Sequence, residues 1–218
     1  MPMLAAAALA ALSAAEWLAT GVGHARRGDY AAAEPAFAEA CRLDPAQPDA
    51  CFYLGRARYF QDRFEEALSP LRQSLASDRT QPPGRAQTAI AQCLEALGRA
   101  ADAETAFSQA IAAGPRSAEA RAKYGLFLLR QGRADDAVTP LEAAVRFDPA
   151  SAEAALSLGR ALYQLERLEA ALPHLNRAVK LDPQSAQGHT LLAKAYRRLG
   201  RHADAERHLA LLRALPHP

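Results

Sequence analysis

Histidine and cysteine are the residues of this chain best suited to hold a metal ion or act as a nucleophile. The histidines are His24, His174, His189, His202, His208 and His217. None lies in an HExxH pattern, in which two imidazoles one helical turn apart meet a zinc ion. His202 and His208 are six residues apart, a spacing that puts them off a shared helix face. Cys41, Cys51 and Cys93 match no zinc spacing and are odd in number. They are read as small buried apolar residues, and a Cys41–Cys51 bridge would need an oxidising compartment. No glycine-rich phosphate loop is present. Glu65-Glu66 and Asp135-Asp136 could do acid–base work, but both pairs stand where helices start, and negative charge there complements the helix dipole. No catalytic residue, metal or cofactor is therefore expected, and the chain is not expected to be an enzyme.

Recognition is the remaining chemistry. The chain has 26 basic and 24 acidic residues, a net charge of +2, which is not the basic excess of a nucleic-acid binder. Asp49, Glu119 and Glu153 fall in first turns of helices and Arg26, Arg130, Arg197 and Arg198 in last turns, each where the dipole favours its sign. Arg56, Arg160 and Lys194 lie in the middle of helices and have no such explanation. Phe52, Tyr53, Tyr59, Phe60 and Tyr163 are near them, and aromatic rings give binding surfaces apolar, orienting area. Together with Arg130 and Arg197 they are expected to take an acidic or C-terminal peptide bearing apolar side chains.

A repeat puts these residues in register. Asp148-Pro149 and Asp182-Pro183 are 34 residues apart, as are Gly21 and Gly55, and Gly125 and Gly159. Gly55 and Gly125 are 70 apart, twice 34 plus 2, which places a two-residue insertion near Pro82-Pro83. The frames are 14–47, 48–81, 84–117, 118–151, 152–185 and 186–218. One column reads Gly21, Gly55, Ala91, Gly125, Gly159, Ala193. Another is Ala33, Ala67, Ala103, Ala137, Ala171, Ala205, and a third Phe37, Leu71, Phe107, Leu141, Leu175, Leu209. Each frame begins with a helix that closes near Gly28, Gly98, Gly132 or Gly200, glycine being at ease in the left-handed conformation. A second helix ends before Pro45, Pro115, Pro149 or Pro183, because the residue before proline leaves the α region. Ser117, Ser151 and Ser185 then stand at N-cap positions. Pro35, Pro70, Pro140 and Pro173 fall near the first turn of second helices, where proline costs little while its position needs no intrahelical N–H donor; one residue deeper it kinks the helix slightly, and the pattern allows either. The small columns bring the two helices of a repeat together, and the Phe/Leu column, with Leu54, Ile90, Tyr124, Leu158 and Leu192, fills the space between repeats.

This pattern resembles the tetratricopeptide repeat, a helix–turn–helix unit of 34 residues. The resemblance rests on Trp17 with Gly21, Leu54-Gly55, Tyr124-Gly125, Leu158-Gly159, Tyr196, the six alanines, Phe37, Phe107 and the four helix-ending prolines, over residues 14 to about 215. Departures are Arg79 for proline, His24 and Arg58 where an aromatic is usual, and Thr20 for a large apolar residue; less regular packing of the first two repeats is expected. The resemblance implies an all-α, right-handed superhelical solenoid of six repeats. Its concave groove, lined by first helices, binds peptides or proteins, and no reaction is implied. Docking of chaperone C-termini is disfavoured, because that clamp uses Lys and Asn on first helices and residues 15–26 contain neither.

Residues 1–15 are apolar and uncharged. Two readings stand: an extension of the first helix, or a secretory signal ending at Ser13-Ala14-Ala15. Location is accordingly cytoplasmic, or periplasmic or secreted. No cysteine lies near this site, so a lipid anchor is not expected, and no run is long enough for a clear membrane span. Residues 1–13 are assigned to this segment and 14–218 to a single solenoid. Leu211 stands in a column otherwise made of Glu39, Gln73, Gln109, Ala143 and Arg177. With Leu215 it is expected to mark an edge for self-association into a homodimer. The expected function is a protein-binding scaffold or assembly adaptor; the alternative is a non-catalytic regulatory module of an enzyme complex.

Overall fold

A computed structural model of the chain describes residues 12–46, 48–76, 82 and 84–215. The rest of the apolar N-terminal run, Arg79, Pro83 and His217 lie outside the described residues. The described residues form twelve α-helices and no strand. They fall into two compact units, Met1–Pro115 and Arg116–Pro218. The first unit holds α1 (Ala14–Ala25), α2 (Tyr30–Leu43), α3 (Pro48–Tyr59), α4 (Phe64–Ala76), α5 (Arg85–Ala96) and α6 (Ala100–Ala113). The second holds α7 (Ala118–Arg130), α8 (Ala134–Phe147), α9 (Ala152–Gln164), α10 (Leu168–Leu181), α11 (Ala186–Arg198) and α12 (His202–Ala214). Within each unit every helix packs on the next. First helices of successive repeats also touch: α3 meets α5, and α9 meets both α7 and α11.

Local chemistry sets the helix ends. The hydroxyls of Ser117, Ser151 and Ser185 accept from the N–H of Ala120, Ala154 and Gly188 at 3.2, 3.1 and 3.2 Å, satisfying donors that have no partner inside the helix. Ser13 caps α1 in a reciprocal box with Glu16. The turn inside each repeat needs one left-handed residue. Gly28, Gly98, Gly132 and Gly200 supply it, and in repeats two and five Asp62 and Glu166 are held there at φ 58° and 60°.

Of the two placements open to the four prolines, the structure has the deeper one. Pro35 and Pro173 are the sixth residues of α2 and α10, and Pro70 and Pro140 the seventh of α4 and α8. A hydrogen bond to the carbonyl four residues back is therefore missing. At Pro70 that carbonyl belongs to Glu66, and it accepts instead from the Arg58 guanidinium at 3.0 Å.

The packing code is tighter than the columns suggest. All six column alanines are fully buried. A methyl group added at Gly21 would stand 2.5 Å from the Phe37 ring, and one at Gly55 or Gly159 would stand 2.5 Å from Leu71 or Leu175. The Phe/Leu column therefore fits against the glycine column of its own repeat, rather than only filling space between repeats.

One departure finds a structural explanation. Arg58, where an aromatic is usual, donates to Glu34 at 2.9 Å from a neighbouring repeat, and Gln61 and Arg63 donate to the same carboxylate at 3.0 and 2.5 Å. Burial pushes the Glu34 carboxyl up, but these hydrogen bonds and cations outweigh it and hold it below the usual range. Cys41 and Cys51 are buried, as expected of apolar residues, and they are also bonded to each other with Cα atoms 4.9 Å apart. The bridge ties the end of α2 to the first turn of α3. Cys93 is a buried thiol, pushed up to about 11 by desolvation.

Candidate functional site

The predicted cation column does not behave uniformly. Arg56, on α3, donates to Gln92 of α5 at 2.9 Å and lies over the rings of Tyr59 and Phe60, 5.0 and 4.6 Å from their centroids. It is engaged within the fold. Phe60 is 46 % exposed yet stacks on Tyr30 at 4.4 Å, and Tyr59 meets Phe64 edge-on at 5.4 Å. Phe52 is buried, with the Arg85 guanidinium 3.8 Å from its ring centroid, and Arg85 is also ion-paired with Asp49. Tyr53 stacks on Phe37 and packs against the core of the first two repeats. Phe52 therefore serves the interior, and half-buried Tyr53 lies against it. Two aromatics in sequence on a helix rarely share one face, and here both found partners inside.

In the second unit the same column opens. α9 is flanked by α7 and α11, so Leu126, Arg160 and Lys194 occupy the same register position on three adjoining helices. Arg160 is half-exposed and Lys194 exposed, and neither has an ion pair or hydrogen bond among the described residues. Leu126, Leu156 and Tyr163 are each half-buried beside them. The Arg198 guanidinium lies 5.4 Å from the Tyr163 ring centroid and pairs with Glu166 at 2.9 Å. Arg197 pairs with Glu206 at 3.3 Å, and Arg130 is exposed at the end of α7. Lys123 of α7 and Glu153 of α9 pair across the two first helices at 2.6 Å. The result is an apolar strip with two unpaired cations, able to hold carboxylates by charge and side chains by burial. Leu126 and Leu156 escaped the sequence reading because a leucine on a first helix looks like core.

At the chain's last repeat Leu211 is 50 % exposed and Leu215 half-buried. Leu209, whose counterparts in the other five repeats are all buried, is half-buried as well. The histidines hold an unforeseen contact: Nδ1 of His189 and Nδ1 of His208 are 3.0 Å apart, joining α11 to α12. Among the described residues no group of three His, Cys, Asp or Glu could hold a metal, and no helix is long and apolar enough to cross a membrane.

Comparison with known structures gives consistent relatives. The chain is similar to PilF of Pseudomonas aeruginosa, with 20 % identity and a TM-score of 0.77 over 94 % of this chain and 93 % of that one. It is similar to MamA (residue 41 to the end) of Desulfovibrio magneticus RS-1, with 27 % identity and a TM-score of 0.65 over 79 % and 95 %. A match in the Cut9–Hcn1 hetero-tetramer of APC/C has 18 % identity and a TM-score of 0.79; it covers 93 % of this chain and 40 % of that one. A comparison with curated protein sequences found no significant match. One tetratricopeptide repeat model matches residues 88–152, 128–186 and 156–217, and a second matches 24–93. The chain belongs to the tetratricopeptide repeat family, whose members are scaffolds for protein–protein interaction.

Proposed function

We propose that this chain is a non-catalytic scaffold that holds a partner protein against the first helices of its second unit. The observation that carries the reading is the pair of unpaired cations, Arg160 and Lys194, set beside half-buried Leu126, Leu156 and Tyr163 on three adjoining helices. A half-exposed or exposed cation on a first helix that has no ion pair among the described residues is available to a ligand, and the apolar strip gives that ligand area to bury. The ligand class is a peptide carrying one or more carboxylates, or a C-terminus, with apolar side chains between them. Arg56 is left out of this surface because Gln92 and two rings already occupy it.

Two secondary features belong to the same reading. Leu211 is taken as an edge that meets a second copy of the chain. The Cys41–Cys51 bridge favours the exported over the cytoplasmic reading, because such bonds persist in oxidising compartments.

The test is capture of partners from the native cell with the wild-type chain and with Arg160→Glu/Lys194→Glu, identified by mass spectrometry. The double reversal should keep its helicity and melting temperature, since both side chains are solvent-facing, and should lose the captured partner. Retention of the partner at wild-type yield would move recognition to another face.

A further inference from the structure

Three guanidinium groups gather round one ring at the beginning of the second unit. Arg116 precedes α7, Arg121 is the fourth residue of α7, and Arg146 and Phe147 close α8. The guanidinium carbons of Arg116, Arg121 and Arg146 lie 5.9, 5.2 and 5.2 Å from the Phe147 ring centroid. No two of them can then be more than about 11 Å apart, which is roughly a Debye length in dilute salt, so their charges repel. None has an ion pair among the described residues, whereas Arg63, Arg99, Arg133 and Arg201 each pair with a carboxylate three residues on. Nη1 of Arg121 is buried and has no acceptor among the described residues.

The fold has no evident use for these charges. Arg116 and Arg121 flank the N-terminus of α7, the positive end of the helix dipole, where a cation is disfavoured. Only Arg146, in the last turn of α8, sits where the dipole welcomes it. The register position of Arg121 is filled elsewhere by Trp17, Cys51, Gln87, Ala155 and His189, so packing does not require a cation there. Glu119, one turn away, is exposed and paired with none of the three. Buried donors without acceptors are costly, and a cluster of like charges without a counter-charge more so.

We propose that Arg116, Arg121 and Arg146 form a binding site for an acidic segment of a partner protein, separate from the surface of Arg160 and Lys194. Guanidinium groups grip carboxylates through paired N–H donors, and stacking on a ring leaves those edges free. Arg116 and Arg146 are exposed and within reach of an incoming chain, and half-buried Phe147 gives its apolar portions something to cover. The spread of the three groups suits two or more carboxylates along a peptide better than one compact phosphate. The backbone donor a phosphate would seek at this helix start, the N–H of Ala120, is already taken by Ser117 at 3.2 Å.

The test uses the full chain and a fluorescently labelled hexaglutamate peptide, with binding read by anisotropy at constant ionic strength. Arg116→Gln/Arg146→Gln should weaken binding roughly ten-fold or more, while Arg177→Gln/Lys180→Gln, which removes the same charge from the exposed face of α10, should change it by less than about three-fold. Unlabelled inorganic phosphate at the peptide's concentration should fail to compete. Arg121→Met, which removes the buried donor and keeps the stem, should melt no lower than wild type in the absence of peptide. The proposal is overturned by no binding at millimolar peptide, by binding that survives Arg116→Gln/Arg146→Gln, or by equal loss in Arg177→Gln/Lys180→Gln. Competition by phosphate would make it a free-anion site, and a lower melting temperature for Arg121→Met would make Arg121 a structural residue; either result also overturns it.

Discussion

A single methyl group distinguishes two uses of glycine in this chain. At Gly125 it would run into the Leu141 side chain, which is fully buried and has nowhere to move. Gly125→Ala should therefore cost roughly 1–3 kcal/mol by overpacking. At Gly132 the methyl meets no atom within 4 Å, but the backbone has φ 75°. Gly132→Ala should cost about 1 kcal/mol from left-handed strain alone. Urea denaturation of both variants checks the order; a larger loss at Gly132 would contradict the packing of the glycine column on the leucines. The His189–His208 contact makes a second prediction at this scale. Nε2 of His189 lies 3.1 Å from the Pro183 carbonyl and so carries the proton, which leaves Nδ1 of neutral His189 to accept from Nδ1–H of His208. Burial first, then the nearness of the His189 imidazole, hold the His208 imidazole below its usual range, with Asp204 opposing. Tyr196 stacks on its ring. A histidine with a lowered folded-state pKa binds fewer protons folded than unfolded, so its contribution is whole above about pH 6.5 and is lost as pH falls below it. His174, lowered chiefly by burial, acts in the same direction. From pH 7.5 to 5.5 the melting temperature should fall more for wild type than for His208→Gln, and equal falls would remove the pair from the explanation.

Among elements, α12 differs from the other second helices in the exposure of its leucines. Leu209 is half-buried where Leu141 and Leu175 are sealed, and Leu211 is exposed. If that edge meets a second copy, sedimentation should show a dimer for wild type and a monomer for Leu211→Glu at the same concentration; a wild-type monomer at high concentration would contradict it. Helix ends were legible in the sequence because each depends on one residue: a serine cap, a left-handed glycine, a proline beyond the end. The depth of Pro35, Pro70, Pro140 and Pro173 was not, since a shift of a few residues leaves the register pattern intact and only the N-terminus of the built helix fixes the count. Arg58 was legible as a departure but not as a solution. Its partners Glu34 and the freed Glu66 carbonyl come from two places in the chain, joined only when α2, α3 and α4 pack.

At the level of the whole molecule, the family was readable because six copies of one pattern reinforce each other, and alanine, glycine and leucine columns must agree for repeats to stack. The residues of the proposed binding surface were readable only in part. Sequence register put Arg56, Arg160 and Lys194 together, and the fold kept two of them open while Gln92, Tyr59 and Phe60 engaged the third. Arg116, Arg121 and Arg146 share no register position, so their meeting at Phe147 had no signature along the chain. The scaffold reading is tested most directly by hydroxyl-radical footprinting of the chain alone and in complex with its captured partner. Tyr163, Leu126 and Leu156 should lose reactivity in the complex, while exposed leucines of the second helices, such as Leu181, keep theirs. Unchanged reactivity at Tyr163, Leu126 and Leu156, with protection confined to the second helices, would contradict binding through the first-helix face.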